Sequence, residues 1–136
     1  MDPQVAESVR SEVGAAAAAL VSAFATHDRE AYFAAFAPDA SFLFYPSPEV
    51  FRTLADYRAE WERWETDGFH VDGCETADTR IEPITRDVAV LTHRVTTTLA
   101  GGEPSLRERE TIVFRREPDG RWLGVHEHLS PSPGGA

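Results

Sequence analysis

Residues 110–130 read ETIVFRREPDGRWLGVHEHLS and have the pattern of a β-hairpin. Two runs containing β-branched and aromatic residues, 107–116 and 121–129, flank a Pro-Asp-Gly turn at residues 118–120. Runs of this kind around such a turn are typical of two neighbouring antiparallel strands. This hairpin therefore predicts that the C-terminal part of the chain forms an antiparallel sheet.

Further strands are predicted upstream of the hairpin. The segment 87–99 is rich in valine and threonine, and it is followed by a Gly-Gly turn at residues 101–102. Residues 69–81 and the aromatic-rich segment 41–45 are predicted as two more strands, and 49–52 as a short additional strand.

Three helices are predicted before and between these strands. In residues 3–26 the apolar side chains recur every three or four positions, which places them on one face of a helix. Asp28 is the expected N-cap of a short helix at 29–36. Thr53 is the expected cap of a third helix, which ends at residues 67–68.

The order of these elements indicates an α+β fold. We expect a cone-shaped domain with three N-terminal helices packed on a strongly curved antiparallel sheet that has mixed pairing at its edge. A small molecule is expected in the unfilled part of this cone. The length of 136 residues suits one domain, which we assign to residues 1–130, followed by a flexible Pro/Gly-rich tail at 131–136.

The composition disfavours several classes of function. The formal net charge of −10 argues against nucleic acid and anionic membranes as partners, because both need clustered cations. Cys74 is the single cysteine and the N-terminus lacks a signal-like pattern, so we expect a cytoplasmic protein without an internal disulfide. The sequence has no phosphate loop, dinucleotide fingerprint or Gly-x-Ser-x-Gly elbow, so no cofactor and no nucleophilic triad are expected.

The C-terminal stretch also resembles a known family. It is similar to the SnoaL-like branch of the nuclear-transport-factor-2-like superfamily, and it looks closest to the association domain of calcium/calmodulin-dependent protein kinase II. The shared features are Glu110-Thr111, Arg115-Arg116 with Asp119-Gly120, and Trp122 followed by Val125-His126-x-His128-x-Ser130. The resemblance implies a cone-shaped fold, a pocket on the inner face of the sheet, and a homodimer formed through the outer face.

Strand alternation divides the predicted sheet into these two faces. In the association domain the pocket carries three arginines, and by position one of them matches Arg94 while the others fall on Ile112 and Leu129. This correspondence supports an inward face that includes Arg94 and Glu127. The full set expected to line the pocket from the strands is Thr92, Arg94, Glu110, Ile112, Phe114, Glu127 and Leu129.

Arg94 and Glu127 are the central pair of this expectation. An unpaired buried charge is costly, so Arg94 is predicted to pair with a carboxylate, with Glu127 the best candidate. The pair is either a structural ion pair, or a general base or ligand anchor in which Arg94 poises Glu127, or one or both groups are exposed to solvent. Tyr57 is the third candidate catalytic residue, because a buried phenol needs a partner and can donate to a substrate oxygen.

Aromatic side chains are expected to wall the pocket. Trp61 and Trp64 share the face of Tyr57 on the third helix, and Phe42 or Phe44 approaches from the first strand. For any one of these residues, a plain core position is the favoured interpretation.

The opposite face is predicted to form the dimer interface. Its expected members are Leu91, His93, Val95, Trp122, His126 and His128. Three imidazoles on one face suit a metal ion in principle, but nothing else in the sequence supports one, so we predict no metal site.

Two functions are consistent with these residues. The first is binding of a small apolar molecule with one polar group, with isomerase, cyclase or dehydratase chemistry. The second is a non-catalytic association, dimerisation or ligand-sensing module. Steroid-isomerase-like relatives carry an aspartate base near the end of the first strand, where residues 42–46 have no carboxylate. A cone filled by Trp61, Trp64 and Phe114 would favour the second function.

Overall fold

A computed structural model describes residues 1–102 and 104–133, which form three helices and five strands. The helices are α1 (Pro3–Ala25), α2 (Arg29–Ala34) and α3 (Leu54–Thr66). Asp2, Asp28 and Thr53 cap them, since each side chain accepts a backbone N–H of the first turn. All three predicted helices are confirmed, and α3 follows the first strand in the chain.

The strands are β1 (Phe36–Phe44), β2 (Val71–Thr85), β3 (Val88–Leu99), β4 (Leu106–Arg116) and β5 (Trp122–Pro131). They form one sheet in the order β1-β5-β4-β3-β2. β1 pairs with β5 in parallel, and the other neighbours are antiparallel. The expected α+β architecture with a mixed edge is therefore confirmed.

The helices cover one face of the sheet and bury an aromatic core. α1 packs mainly on β2, and α3 packs against β1. Val13, Phe42 and Trp61 are almost completely buried between these elements. At Gly124 a Cβ would lie 2.7 Å from Cδ1 of Phe36, so only glycine allows this close approach of β5 to the start of β1.

Three details differ from the prediction. Strand β1 begins five residues earlier than expected, and the proposed strand at 49–52 is only a bridge between Phe51 and Phe42. Strand β5 reaches Pro131, so the first residue of the predicted tail belongs to the sheet. Residues 134–136 of that tail lie outside the described residues. Among the described helices, none combines the length and the apolar character that a membrane span needs.

Candidate functional site

A cavity of about 160 Å³ lies between the inner face of the sheet and the three helices. Its walls are aromatic and aliphatic, and the exposed residues Pro46, Thr76 and Leu106 mark the mouth. Buried residues such as Tyr57 and Glu127 mark the floor. The described lining is Leu20, Val21, Phe24, Tyr32, Phe44, Pro46, Ser47, Tyr57, Trp61, Trp64, Phe69, Cys74, Thr76, Val95, Thr97, Leu99, Leu106, Glu108, Glu110, Glu127 and Leu129.

Three polar side chains from neighbouring strands meet at the floor of the cavity. His93 on β3 faces Glu110 on β4, and Nε2 of His93 lies 2.5 Å from Oε1 of Glu110. The carboxyl group of Glu127 on β5 lies close enough to that of Glu110 for each to shift the pKa of the other. The side chains of His93 and Glu110 are 2% and 11% exposed, and Glu127 is 3% exposed. The three groups thus form a nearly dry chain of polar side chains.

The two carboxyl groups of this chain titrate differently. Burial raises the pKa of Glu127, and the negative charge of Glu110 raises it further. Burial alone would raise the pKa of Glu110 too, but hydrogen bonds from Glu127 and His93 outweigh it and lower that pKa. Oε1 of Glu127 receives no N–H or O–H from the described residues. The two shifts oppose each other, so Glu127 is the group of the pair that holds a proton more readily and Glu110 is the one that gives it up.

Two tyrosines stand beside these carboxyl groups. The hydroxyls of Tyr32 on α2 and Tyr57 on α3 are 2.9 Å apart, and both residues are 3% exposed. Burial is the main cause that raises the pKa of both phenols well above the usual value. Both hydroxyls therefore stay protonated, and one of them has a proton to donate towards the cavity.

A third carboxyl group lies nearer the mouth. Glu108 is two residues before Glu110 on β4, is 7% exposed and accepts a hydrogen bond from Tyr45. Burial raises the pKa of Glu108, although the bond from Tyr45 opposes the shift. Burial and the same bond raise the pKa of Tyr45 to about 12. The inner face of β4 thus presents two carboxyl groups in a row.

The predicted pairing of Arg94 with Glu127 is wrong. Arg94 points to the outer face, where its side chain is 67% exposed and its Nε lies 3.3 Å from Oδ2 of Asp78. Thr92 is exposed on the same outer face and does not line the cavity. The reason is register, because Leu91 pairs with Ile112, which faces the core, so the odd-numbered positions of β3 point inward.

The structure corrects four of the residues expected at a dimer interface, three of them on β3. Leu91, His93 and Val95 are buried on the inner face, and Val95 lines the cavity. Trp122 is also buried, and its Nε1 donates to Oε1 of Glu12 on α1 at 2.8 Å. An irregularity between Gly124 and His126 reverses the alternation of β5, so Trp122 shares a face with Glu127.

His126 and His128 do lie on the outer face, as expected. His128 is exposed, and Nδ1 of His126 lies 2.8 Å from Oγ of Ser41. His93 faces the other side of the sheet, so the three imidazoles do not converge. Within residues 1–102 and 104–133, no cluster of three metal-ligating side chains occurs.

The cavity gathers many of the other predicted site residues. Tyr57, Glu127, Phe44, Trp61, Trp64, Glu110 and Leu129 all line it. Phe42, Ile112 and Phe114 are fully buried in the core and do not contribute to the lining. The prediction missed Glu108 and Tyr32. Glu108 is in phase with Glu110 and Ile112 along β4, and that alternation was a signal that could have found it.

Comparisons with known proteins agree with this geometry. The cone of helices on a curved mixed sheet, with a pocket on the inner face, is the nuclear-transport-factor-2-like fold. The family model described as SnoaL-like domain matches residues 13–133, and the chain therefore belongs to this family. No curated protein matches the sequence.

Solved structures with the same fold share little sequence with this chain. A protein of unknown function from Pseudomonas putida KT2440 has a TM-score of 0.78 at 21% identity, covering 91% of this chain and 87% of its own. A candidate calcium/calmodulin-dependent protein kinase II association domain from Xanthomonas campestris has a TM-score of 0.73 at 24% sequence identity. The match covers 90% of this chain and 87% of the other. A candidate ketosteroid isomerase from Shewanella frigidimarina has a TM-score of 0.70 at 21% sequence identity. The match covers 90% of this chain and 97% of the other. At these identities the likeness establishes the fold alone.

Proposed function

We propose that this protein binds a small, largely apolar molecule with one polar group and transfers a proton on it, as an isomerase, cyclase or dehydratase does. The observation that carries this proposal is the buried carboxyl group of Glu127 at the inner end of an apolar cavity, where burial and the neighbouring Glu110 raise its pKa. A carboxylic acid kept neutral by an apolar site can donate a hydrogen bond or a proton near neutral pH. The candidate ketosteroid isomerase among the structural neighbours is consistent with such chemistry.

The chain of Glu127, Glu110 and His93 suits both directions of proton transfer. Glu127 is the acid that faces the cavity, and Glu110 is the adjacent carboxylate that accepts a proton. In an isomerisation the carboxyl pair takes a proton from one substrate atom and returns a proton to another, so the net count is unchanged. His93 holds the Glu110 carboxylate in place through its contact of 2.5 Å.

The dimensions of the cavity restrict the substrate. A dry cavity of roughly 150 Å³ holds a molecule of the size of benzene. The volume of about 160 Å³ found here therefore suits one ring or a short branched chain, with any longer part extending through the mouth.

The open cavity supports the first of the two functions that the sequence left open. Trp61 and Trp64 line the space and Phe114 lies in the core, so these side chains leave the cone unfilled. An unfilled, apolar pocket with convergent polar groups supports small-molecule binding over a purely architectural role. The homodimer is a separate proposal, and it is compatible with either function.

The proposal is tested by exchange of carbon-bound protons. A panel of small cyclic and branched ketones is incubated in D₂O with the protein, and loss of the α-proton signal is followed by NMR. We expect the wild type to accelerate exchange for at least one ketone, and Glu127→Gln to lower that rate by about 100-fold or more. The matched control Glu7→Gln, on the exposed face of α1, retains the wild-type rate. Exchange that is absent in the wild type, or undiminished in Glu127→Gln, contradicts the proposal.

A further inference from the structure

Among the residues that the structure describes, the cavity is lined by three glutamates and by no basic side chain. We propose that the polar group of its ligand is a protonated amine, so that the ligand is a small organic cation with an apolar body. This inference rests on the proposed function, because it specifies the chemical class of molecule that the same cavity binds.

The first support is the charge of the lining. Glu108, Glu110 and Glu127 all face the cavity, and its described lining contains no arginine, lysine or histidine. The arginine expected there, Arg94, lies on the other side of the sheet. A carboxylate ligand would enter beside acidic groups with no cation to pair with, and the desolvation of its charge would be uncompensated. A cation would find an opposite charge instead.

The second support is the aromatic wall. Seven aromatic side chains line the cavity: Phe24, Tyr32, Phe44, Tyr57, Trp61, Trp64 and Phe69. The rings are close together, with centroids of Trp61 and Phe69 4.9 Å apart and those of Trp64 and Phe69 5.6 Å apart. The faces of aromatic rings carry partial negative charge and attract ammonium groups, most strongly when water is excluded.

The third support is an unsatisfied acceptor at the floor. Oε1 of Glu127 is buried and receives no hydrogen bond from an N–H or O–H of the described residues. A protonated amine has N–H groups to donate to this oxygen and no lone pair that needs a partner. The polar end of an amine therefore matches the floor, while its apolar body matches the walls.

Binding of a cation has a consequence for protons. The groups that face Glu127 are Glu110 and Glu108 on β4, Cys74 on β2, Tyr32 on α2 and Tyr57 on α3, with His93 reached through Glu110. In the free protein none of these supplies a positive charge directly to Glu127. An ammonium group placed there stabilises its carboxylate form, so binding of an amine releases a proton to solvent and leaves Glu127 as the base of the proposed proton transfer. A neutral ligand does not have this effect.

The experiment compares three molecules of nearly the same shape by isothermal titration calorimetry: 2-phenylethylamine, 2-phenylethanol and phenylacetate. The amine is a cation, the alcohol is neutral and the acid is an anion at pH 7. We expect the amine to bind the full chain about tenfold more tightly than the alcohol, and phenylacetate to bind most weakly. Repeating the amine titration in buffers of different ionisation enthalpy should show net proton release.

Variants identify the source of this preference. Glu127→Gln should lose the proton release and most of the preference for the amine, while its affinity for the alcohol changes little. Glu108→Gln, nearer the mouth, should weaken amine binding while retaining proton release, which keeps the test valid should Glu127→Gln fail to fold. Glu7→Gln should behave as wild type.

The possible failures are distinguishable. Binding of 2-phenylethanol as tight as that of the amine, or tighter binding of phenylacetate, overturns the cationic ligand but leaves the small-molecule pocket standing. Binding of none of the three molecules contradicts the pocket itself, and the inference fails with it.

Discussion

Nε2 of His93 lies 2.5 Å from Oε1 of Glu110, and this contact between β3 and β4 anchors the polar floor of an otherwise apolar cavity. Because Glu110 is the ionised member of the carboxyl pair, the ring nitrogen that faces it donates the hydrogen bond. The acid, the carboxylate and the imidazole are thus ordered by the sheet, one from each of three adjacent strands.

The contact should matter for stability. Replacing His93 with alanine leaves the Glu110 carboxylate buried without this partner, and we expect a loss of about 3–5 kcal/mol in the free energy of unfolding. Urea denaturation measures it. The neighbouring Arg94→Ala is the control, because the exposed Arg94–Asp78 pair should contribute no more than about 1 kcal/mol. An equal loss in both variants would contradict the assignment of His93 to the core.

Arg94 and Glu127 should behave independently. They lie on opposite faces of the sheet, so the effects of Arg94→Ala and Glu127→Gln on unfolding should add to within about 0.5 kcal/mol in the double variant. A double-mutant cycle by urea denaturation gives this value. A coupling energy well above about 0.5 kcal/mol would support the ion pair that the sequence predicted and would contradict the position of Arg94 on the outer face.

The register of β3 was the part of the fold that the sequence did not reveal. Helix positions, strand order along the chain and the inward face of β4 follow from periodicity, turns and caps. In β3, however, valine and threonine occur on both faces, so alternation alone does not choose between them. The face is decided by pairing of Leu91 with Ile112, which depends on the path of the chain between β3 and β4. Resemblance to a relative with inward arginines favoured the wrong choice.

A residue of the candidate site could be predicted where the pattern of its own strand shows which face of the sheet its side chain occupies. Glu110 lies inward in phase with Ile112 and Phe114, which are buried on β4. Glu127 and Leu129 were also placed inward, and both line the cavity. His93 could not be assigned without the β3 register, and Trp122 required knowledge of the irregularity in β5. The chain of three polar groups therefore became visible only with the sheet assembled.

The hydroxyls of Tyr32 and Tyr57 should be energetically coupled. Tyr57→Phe leaves the buried Tyr32 hydroxyl without its partner at 2.9 Å, and we expect a cost of about 1–3 kcal/mol. The double variant with Tyr32→Phe should cost less than the sum of the single changes. Thermal or urea unfolding measures the coupling, with Tyr45→Phe near the mouth as a partly exposed comparison. Strict additivity would argue against the hydrogen bond.

The stability of the protein should depend on pH through Glu127. The pKa of Glu127 is higher in the folded chain than in the unfolded chain, so the folded state binds the proton more tightly. Stability from this group is fully present below the ordinary glutamate pKa and is lost as the pH rises through the raised value. Glu127→Gln removes this loss, so the variant should gain stability relative to wild type as the pH rises above the ordinary glutamate pKa. A difference that stays constant as the pH rises would contradict the raised pKa.

The outer face of the sheet is the proposed dimer surface. Val113 lies there in a row with Val90 and His126, and each of these side chains is partly exposed. We expect the wild type to be a dimer at micromolar concentration in light scattering. Val113→Glu should give a monomer, because it places a charge in the contact, while Ala18→Glu on the exposed side of α1 should remain a dimer. A monomer mass for the wild type would refute the dimer.

The proton that Glu127 holds more readily than Glu110 is central to the proposed chemistry. A titration of the glutamate carboxyl carbons by ¹³C NMR, with Glu127→Gln and Glu110→Gln used for assignment, measures both groups directly. Glu127 should titrate above the ordinary glutamate value of about 4.3 and Glu110 below it. Titration of Glu127 at or below that value would mean that the cavity floor carries two ordinary carboxylates, and the proposed acid would be absent.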